Sequence, residues 1–229
     1  MEFQHYWYIL LLCAVAAATL FIVIKRPGIY FTELKYMLPA IVFSGAIFVI
    51  LNIRFREFEI IYYNPDYLTG KNIFNLPIEE WLFLLVVSLF SFAIYLQVKI
   101  KFENFEKPKL FLTISLVLLV VFGLTAWFSR SKLVPFFVFF LLTIYFGYTI
   151  FRNRFTKYFS KFYVAYVIAV IPFFLMKGIL YSLPVILYSN EHTLGIRLLS
   201  VPVEDFGFFF LLMLINISIF EYLRDHHLY

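Results

Sequence analysis

Seven uninterrupted apolar runs fix what this chain can fold into. They extend from about Tyr6 to Ile24, Leu34 to Ile53, Pro77 to Val98, Leu110 to Phe128, Leu133 to Phe151, Phe162 to Leu183 and Pro202 to Leu223. A helix needs roughly 17–25 such residues to cross a bilayer. Charged stretches close most of the runs, among them Lys25-Arg26-Pro27-Gly28, Arg54-Phe55-Arg56, Lys99-Ile100-Lys101 and Arg130-Ser131-Lys132. Composition points the same way: 63% of residues are hydrophobic and 14% charged, where a soluble domain has roughly 45–50% and 25%. The expected fold is an all-α integral membrane protein with seven transmembrane helices.

The same features exclude several functions. The single Cys13 lies inside the first run and removes a disulfide framework or a cysteine metal site. His226-His227 reads as a solvated tail rather than a metal site, and no metal or other cofactor is called for. The net charge of +5 belongs to topology, not to nucleic acid. Of the nineteen Lys and Arg, twelve fall on the side of loops one, three and five and the C-terminus, six on the other, and Lys177 within a span. The positive-inside rule then predicts a multi-pass protein of the cell (inner) membrane, N-terminus outside and C-terminus cytoplasmic. The N-terminus lacks the basic region of a signal peptide, so the first run is expected to be a retained span.

A phrase within these runs occurs twice. Pro77-Ile78-Glu79-Glu80 returns, 125 residues later, as Pro202-Val203-Glu204-Asp205. The same offset carries Tyr63 onto Tyr188, Gly70 onto Gly195, Phe83 onto Phe208 and Phe48 onto Phe173. This is an internal repeat. It divides the chain into a first three-helix unit (residues 1–105), a linking helix (106–130) and a second three-helix unit (131–229). An odd linking helix keeps the two units parallel, so both acid pairs face one side. Parallel repeats place a shared site between halves related by an axis along the membrane normal. The turn-forming loops before each motif are expected to cap that site.

Proline at a first helical position followed by acids is also an ordinary helix start. Duplication adds to it, because four carboxyls, Glu79, Glu80, Glu204 and Asp205, then converge on one mouth. An ionised carboxylate beside hydrocarbon is costly, and a carboxyl held neutral by an apolar pocket is a candidate general acid. Asn52 and Lys177 occupy equivalent places in spans two and six and are expected to tune these acids. A Lys within a span marks a functional site with an acid as partner, unless it snorkels to the interface. The 32 Phe exceed what interfacial belts require and suggest an aromatic interior. Most would face lipid, but a subset lining a cavity could stabilise a carbocation through ring faces. Tyr63, Trp81, Phe83, Tyr181, Tyr188, Phe206 and Phe208 are the candidates.

Neither a dinucleotide-binding glycine motif, a P-loop, a zinc-protease motif nor a nucleophile elbow is present. The chain resembles the integral-membrane lycopene cyclase domain family, in its fused two-unit form. The matching stretches are Tyr63-Asn-Pro-Asp-Tyr-Leu-Thr-Gly70, Asn75-Leu-Pro-Ile-Glu-Glu-Trp-Leu-Phe83, Leu194-Gly-Ile-Arg197, Val201-Pro-Val-Glu-Asp-Phe206 and Ile219-Phe-Glu-Tyr222. The family usually carries Trp-Asp where this chain has Leu51-Asn52. In span six it usually carries Asn-Gly and then Thr, in place of Lys177-Gly178 and Tyr181.

The resemblance implies cyclisation of the acyclic ends of lycopene to β rings, an isomerisation in carotenoid biosynthesis without net redox change. A carboxylic acid would protonate a terminal alkene, and a base would remove a ring proton after closure. The expected partners are a lipophilic polyene or other isoprenoid within the bilayer and the membrane lipids. Homo-oligomers, or association with other carotenoid enzymes, stay open. Two alternatives stand beside this reading: a diverged cyclase for another polyprenyl substrate, and a small-solute transporter with the same three-one-three arrangement. A membrane prenyltransferase would need Asp-rich motifs, and none is present.

Overall fold

The computed structural model describes residues 4–152 and 156–226. It contains seven long helices: α1 (Trp7–Ile24), α2 (Pro27–Glu57), α3 (Ile78–Lys101), α4 (Pro108–Phe128), α5 (Leu133–Phe151), α6 (Phe159–Ser182) and α7 (Val203–Asp225). All are long and apolar enough to cross a membrane. A helix satisfies its backbone groups internally, the condition that hydrocarbon imposes. The helices extend a few residues beyond most of the apolar runs, and one boundary differs in kind. Pro27 does not help to close the first span; it opens α2 as its first residue. Proline has no N–H to leave unpaired there, so the turn between α1 and α2 shrinks to Lys25 and Arg26. His227, expected in the C-terminal tail, lies outside the described residues.

Helix α1 packs on α3, and α5 packs on α7. Across the molecule α2 packs on α7 and α3 on α6, while α4 lies against α5 and α6. The interior is rich in aromatic rings. Phe173 stacks on Phe209 at 4.3 Å between centroids, and Phe210 is ringed by Phe122, Phe146, Phe162 and Tyr166. One buried polar link crosses the apolar middle. Ser44 on α2 donates to Asn216 on α7 at 2.6 Å, and Asn216 donates to Ser88 on α3 at 2.9 Å.

The segments between helices repeat with the same offset of 125. Strands β1 (Ile61–Tyr63), β2 (Asn72–Ile73) and β3 (Leu76–Pro77) precede α3. Strands β4 (Ile186–Tyr188), β5 (Arg197–Leu198) and β6 (Val201–Pro202) precede α7. Hairpins β2–β3 and β5–β6 share one register. Gly70 and Gly195 both take φ +78°, a left-handed backbone that glycine adopts without strain. At the hairpin tips Phe74 and Leu199 are equally matched, at φ +50° and +54°, although neither is a glycine.

Strands β1 and β4 pair antiparallel, with Ile61 opposite Tyr188, Tyr62 opposite Leu187 and Tyr63 opposite Ile186. Tyr62 and Leu187 hold the same place in the two copies and face each other. A local two-fold axis therefore passes through that pair, and the ribbon lies across the ends of the helices that carry the acids.

Candidate active site

Beneath the β1–β4 ribbon lies a small enclosed cleft. It is lined by Asn52, Ile61, Tyr63, Glu80, Phe83, Lys177, Ile186, Tyr188, Asp205 and Phe208. These ten residues are five pairs, each separated by 125 positions: Asn52 with Lys177, Ile61 with Ile186, Tyr63 with Tyr188, Glu80 with Asp205, and Phe83 with Phe208. The repeat thus builds one cleft on its own axis rather than one cleft per unit. Its volume is about 10 Å³, room for about one water.

Within each acid pair the two carboxyls do different things. The first faces outward to the loop before its helix. Glu79 Oε1 accepts from the Thr69 N–H at 2.8 Å and from Thr69 Oγ1 at 2.7 Å. Glu204 Oε1 accepts from the Leu194 N–H at 2.5 Å, and Leu194 is the repeat equivalent of Thr69. These contacts tie each compact loop to the first turn of its helix. A carboxylate bonded to backbone N–H groups forms stronger hydrogen bonds than a neutral acceptor would. The second Oε oxygen of each, though buried, has no hydrogen-bond partner among the described residues.

The second acid of each pair faces the cleft. Glu80 is 3% exposed and Asp205 4%. The Tyr8 hydroxyl donates to Glu80 Oε1 at 2.5 Å, and Asn52 Nδ2 lies 3.4 Å from Oε2. Asp205 Oδ2 accepts from the Tyr181 hydroxyl at 2.7 Å and lies 3.6 Å from Lys177 Nζ. Tyr188 reaches Asp205 Oδ1 at 3.4 Å. Lys177 is buried, so it does not snorkel; its Nζ lies 4.5 Å from the Phe83 ring centroid. The ribbon tyrosines Tyr63 and Tyr188 are both pushed well above the ordinary tyrosine range, first by burial and next by the neighbouring carboxylates. They are held as neutral hydroxyls.

Four phenylalanines form the floor. Phe48 packs on Phe208 at 4.3 Å, and Phe83 on Phe173 at 6.4 Å. The two contacts are repeat equivalents. One face of Phe83 is taken by the Lys177 ammonium, and Phe208 has no such cation over it among the described contacts.

The family model described as lycopene cyclase matches residues 5–98 and 131–223. The chain belongs to the lycopene cyclase family. Both matched segments carry one acid pair, one hairpin and one strand of the ribbon, and α4 falls between them. Comparison with curated proteins and with solved structures finds no match. Family membership makes the protein a cyclase-type membrane protein of carotenoid biosynthesis.

In this lycopene cyclase family member the sequence-derived site residues separate by geometry. Glu80, Asp205, Asn52, Lys177, Tyr63, Tyr188, Phe83 and Phe208 share the cleft, and Tyr181 joins them through Asp205. Glu79 and Glu204 turn to the loops instead. Trp81 leans on Phe74 at 6.4 Å, and Phe206 stacks on Phe174 at 5.8 Å, both outside the cleft lining. Sequence reasoning misses Tyr8, although it contacts Glu80 directly and is fully buried. Its signal is faint: a tyrosine near the head of a mostly aliphatic helix, at the position that Leu133 holds in the other copy. Among the described residues no group of three or more His, Cys, Asp or Glu side chains is placed to hold a metal ion.

A much larger opening lies elsewhere. A cavity of about 570 Å³ sits at the opposite ends of α5 and α7, among Tyr145, Tyr158, Glu221 and Asp225. There Glu221 is buried and accepts from Tyr95 at 2.7 Å and from Lys99 at 2.5 Å. Neither acid pair reaches it, so size alone would misplace the chemistry.

Proposed function

We propose that the chain cyclises the open end of a linear polyene of the lycopene class to a β-ionone ring, with no net redox change. Support comes from the five repeat pairs that bring Glu80 and Asp205 onto one buried aromatic-floored cleft. Acid-initiated cyclisation needs a proton donor, a surface that tolerates a carbocation, and a base. One carboxyl gives its proton to the terminal alkene, and the tertiary cation closes onto the neighbouring double bond. Ring faces and a nearby carboxylate stabilise positive charge in a water-poor site. A base then removes a ring proton, and the two electrons of that C–H bond become the ring alkene. Two carboxyls in distinct surroundings can supply acid and base at one pH.

The two matched segments are read as parallel three-helix units, 1–105 and 131–229, joined by the helix of 106–130. In this reading the N-terminus is outside, the C-terminus is cytoplasmic, and both acid pairs sit on the outer side. The cleft must widen before a polyene end enters, and the ribbon where the two units meet is the natural place for it to open. Expression in lycopene-accumulating cells with chromatographic pigment analysis tests the function. Conversion to mono- or bicyclic carotenoid is expected. Unchanged lycopene, with the protein present in the membrane, would defeat the proposal.

A further inference from the structure

We propose that Lys177 divides the work of the two acids: it holds Asp205 as the carboxylate, and Glu80 carries the proton that is given to substrate. The proposal rests on the cyclase reading for its chemistry, but not for its charge assignment.

Charge counting in the cleft comes first. The ionisable groups that face it are Glu80 from α3, Asp205 from α7, Lys177 from α6 and the tyrosines Tyr8, Tyr63, Tyr181 and Tyr188. Glu79 and Glu204 are turned to their loops. Arg56 lies over the Tyr63 ring, 5.7 Å from its centroid, is absent from the cleft lining and makes no ion pair with either cleft acid among the described contacts. Two carboxyls therefore share one buried ammonium. An isolated buried charge is far costlier than a paired one, so the neutral arrangement has one ion pair and one protonated acid.

Hydrogen-bond chemistry then says which acid is which. An ammonium has three donors and no acceptor, so the partner of Lys177 must be an acceptor. That partner is Asp205, at 3.6 Å, which also takes the Tyr181 hydroxyl at 2.7 Å. The equivalent place beside Glu80 holds Asn52, at 3.4 Å. An amide offers a donor and an acceptor in nearly the same shape. It can therefore serve a protonated carboxyl through its oxygen, which a lysine cannot do. The repeat would make the two acids equivalent, and the Asn52/Lys177 difference separates them.

The step then balances. The Glu80 O–H bond breaks as a C–H bond forms at the terminal alkene. The cation is consumed by ring closure, and the ring proton passes to Asp205. Return of that proton to Glu80 across the shared cleft resets the site. Lys177 acts through the Asp205 carboxylate, 3.6 Å away, and is assigned no bond-making step, so it is a positioning residue.

Infrared difference spectroscopy of the full chain in lipid nanodiscs, with hydrogen–deuterium exchange, reads the proton directly. Wild type is expected to show a protonated-carboxyl stretch that shifts to lower frequency when the glutamate carboxyls are isotopically labelled with heavy carbon, stays in place when the aspartate carboxyls are, and vanishes in Glu80→Gln. Lys177→Met should add a second such band, and Lys177→Arg should not. Turnover should fall about 10²-fold or more in Lys177→Met and recover largely in Lys177→Arg. A band that shifts with aspartate labelling and not with glutamate labelling would overturn the assignment, and so would an unchanged spectrum in Lys177→Met. If wild type shows the expected bands but leaves lycopene unconverted, the cyclase reading fails and the location of the proton stands.

Discussion

Replacing each carboxyl of the first acid pair by its amide should separate chemistry from anchoring. Glu80→Gln keeps the volume and an acceptor for Tyr8 at the 2.5 Å contact, but leaves no acidic proton. General acid catalysis contributes about 10²–10⁴-fold, which is roughly 3–5 kcal/mol of barrier at about 1.4 kcal/mol per factor of ten. Pigment conversion should fall by that much while the protein melts close to wild type, because a buried carboxyl is replaced by a neutral group of the same shape. Glu79→Gln should behave in the opposite way. Its Oε1 holds the Thr69 N–H at 2.8 Å and Thr69 Oγ1 at 2.7 Å. Hydrogen bonds to a charged acceptor are worth roughly 1.5–3 kcal/mol and neutral ones about 1. The amide should therefore cost about 1–3 kcal/mol of loop anchoring, with turnover within a few-fold of wild type. The assay is paired: chromatographic pigment conversion per unit of membrane protein, and thermal melting of the same variants in detergent. If Glu79→Gln lost turnover as severely as Glu80→Gln while melting like wild type, the division within the pair would be refuted. A Glu80→Gln variant that cyclised at the wild-type rate would refute the role of Glu80.

Further outcomes follow from single contacts. Tyr8→Phe removes the hydroxyl that donates to Glu80 and should cost about 1–3 kcal/mol of stability, with conversion reduced about tenfold; melting and pigment analysis check both. Gly70→Ala and Gly195→Ala should each cost about 1–2 kcal/mol, equally in the two copies, since at φ +78° no atom lies within 4 Å of either added Cβ. Phe74→Gly, at φ +50°, should raise the melting temperature instead. Asn216→Leu breaks two interhelical hydrogen bonds worth about 0.6 kcal/mol each in a membrane, so melting should drop by little and pigment conversion should hold. Tyr63 and Tyr188 are raised by burial and stay protonated even above the ordinary tyrosine range. Tyr188→Phe should therefore leave the alkaline limb of the pH–turnover profile where it is.

The repeat makes much of this site legible in the amino-acid sequence. A fixed offset finds equivalent residues, and a two-fold axis brings equivalents together, so Glu80, Asp205, Asn52, Lys177, Tyr63 and Tyr188 can be named from the offset. Helical phase explains why two of the candidates lie outside the cleft lining. Phe83 and Phe208 stand three residues after the cleft acids and share their helix face, whereas Trp81 and Phe206 stand one residue after and cannot. The same phase separates Glu79 from Glu80, but which of two adjacent acids faces the axis depends on helix rotation, and two apolar helices in lipid carry little pattern to set it. Tyr8 escapes for the opposite reason, because it breaks the repeat and its contact with Glu80 spans 72 positions. That exception shows where function departs from symmetry. The matched pairs Ile61/Ile186, Tyr63/Tyr188 and Phe83/Phe208 shape the roof and floor. The unmatched residues Tyr8, Asn52, Lys177 and Tyr181 contact the two carboxyls, which themselves differ as Glu80 and Asp205. A perfectly symmetric centre would give both acids one environment and one tendency to hold a proton, and then neither could act as base to the other's acid. A proton transfer in one direction needs that equivalence broken, and the chain breaks it at the residues around the two carboxyls.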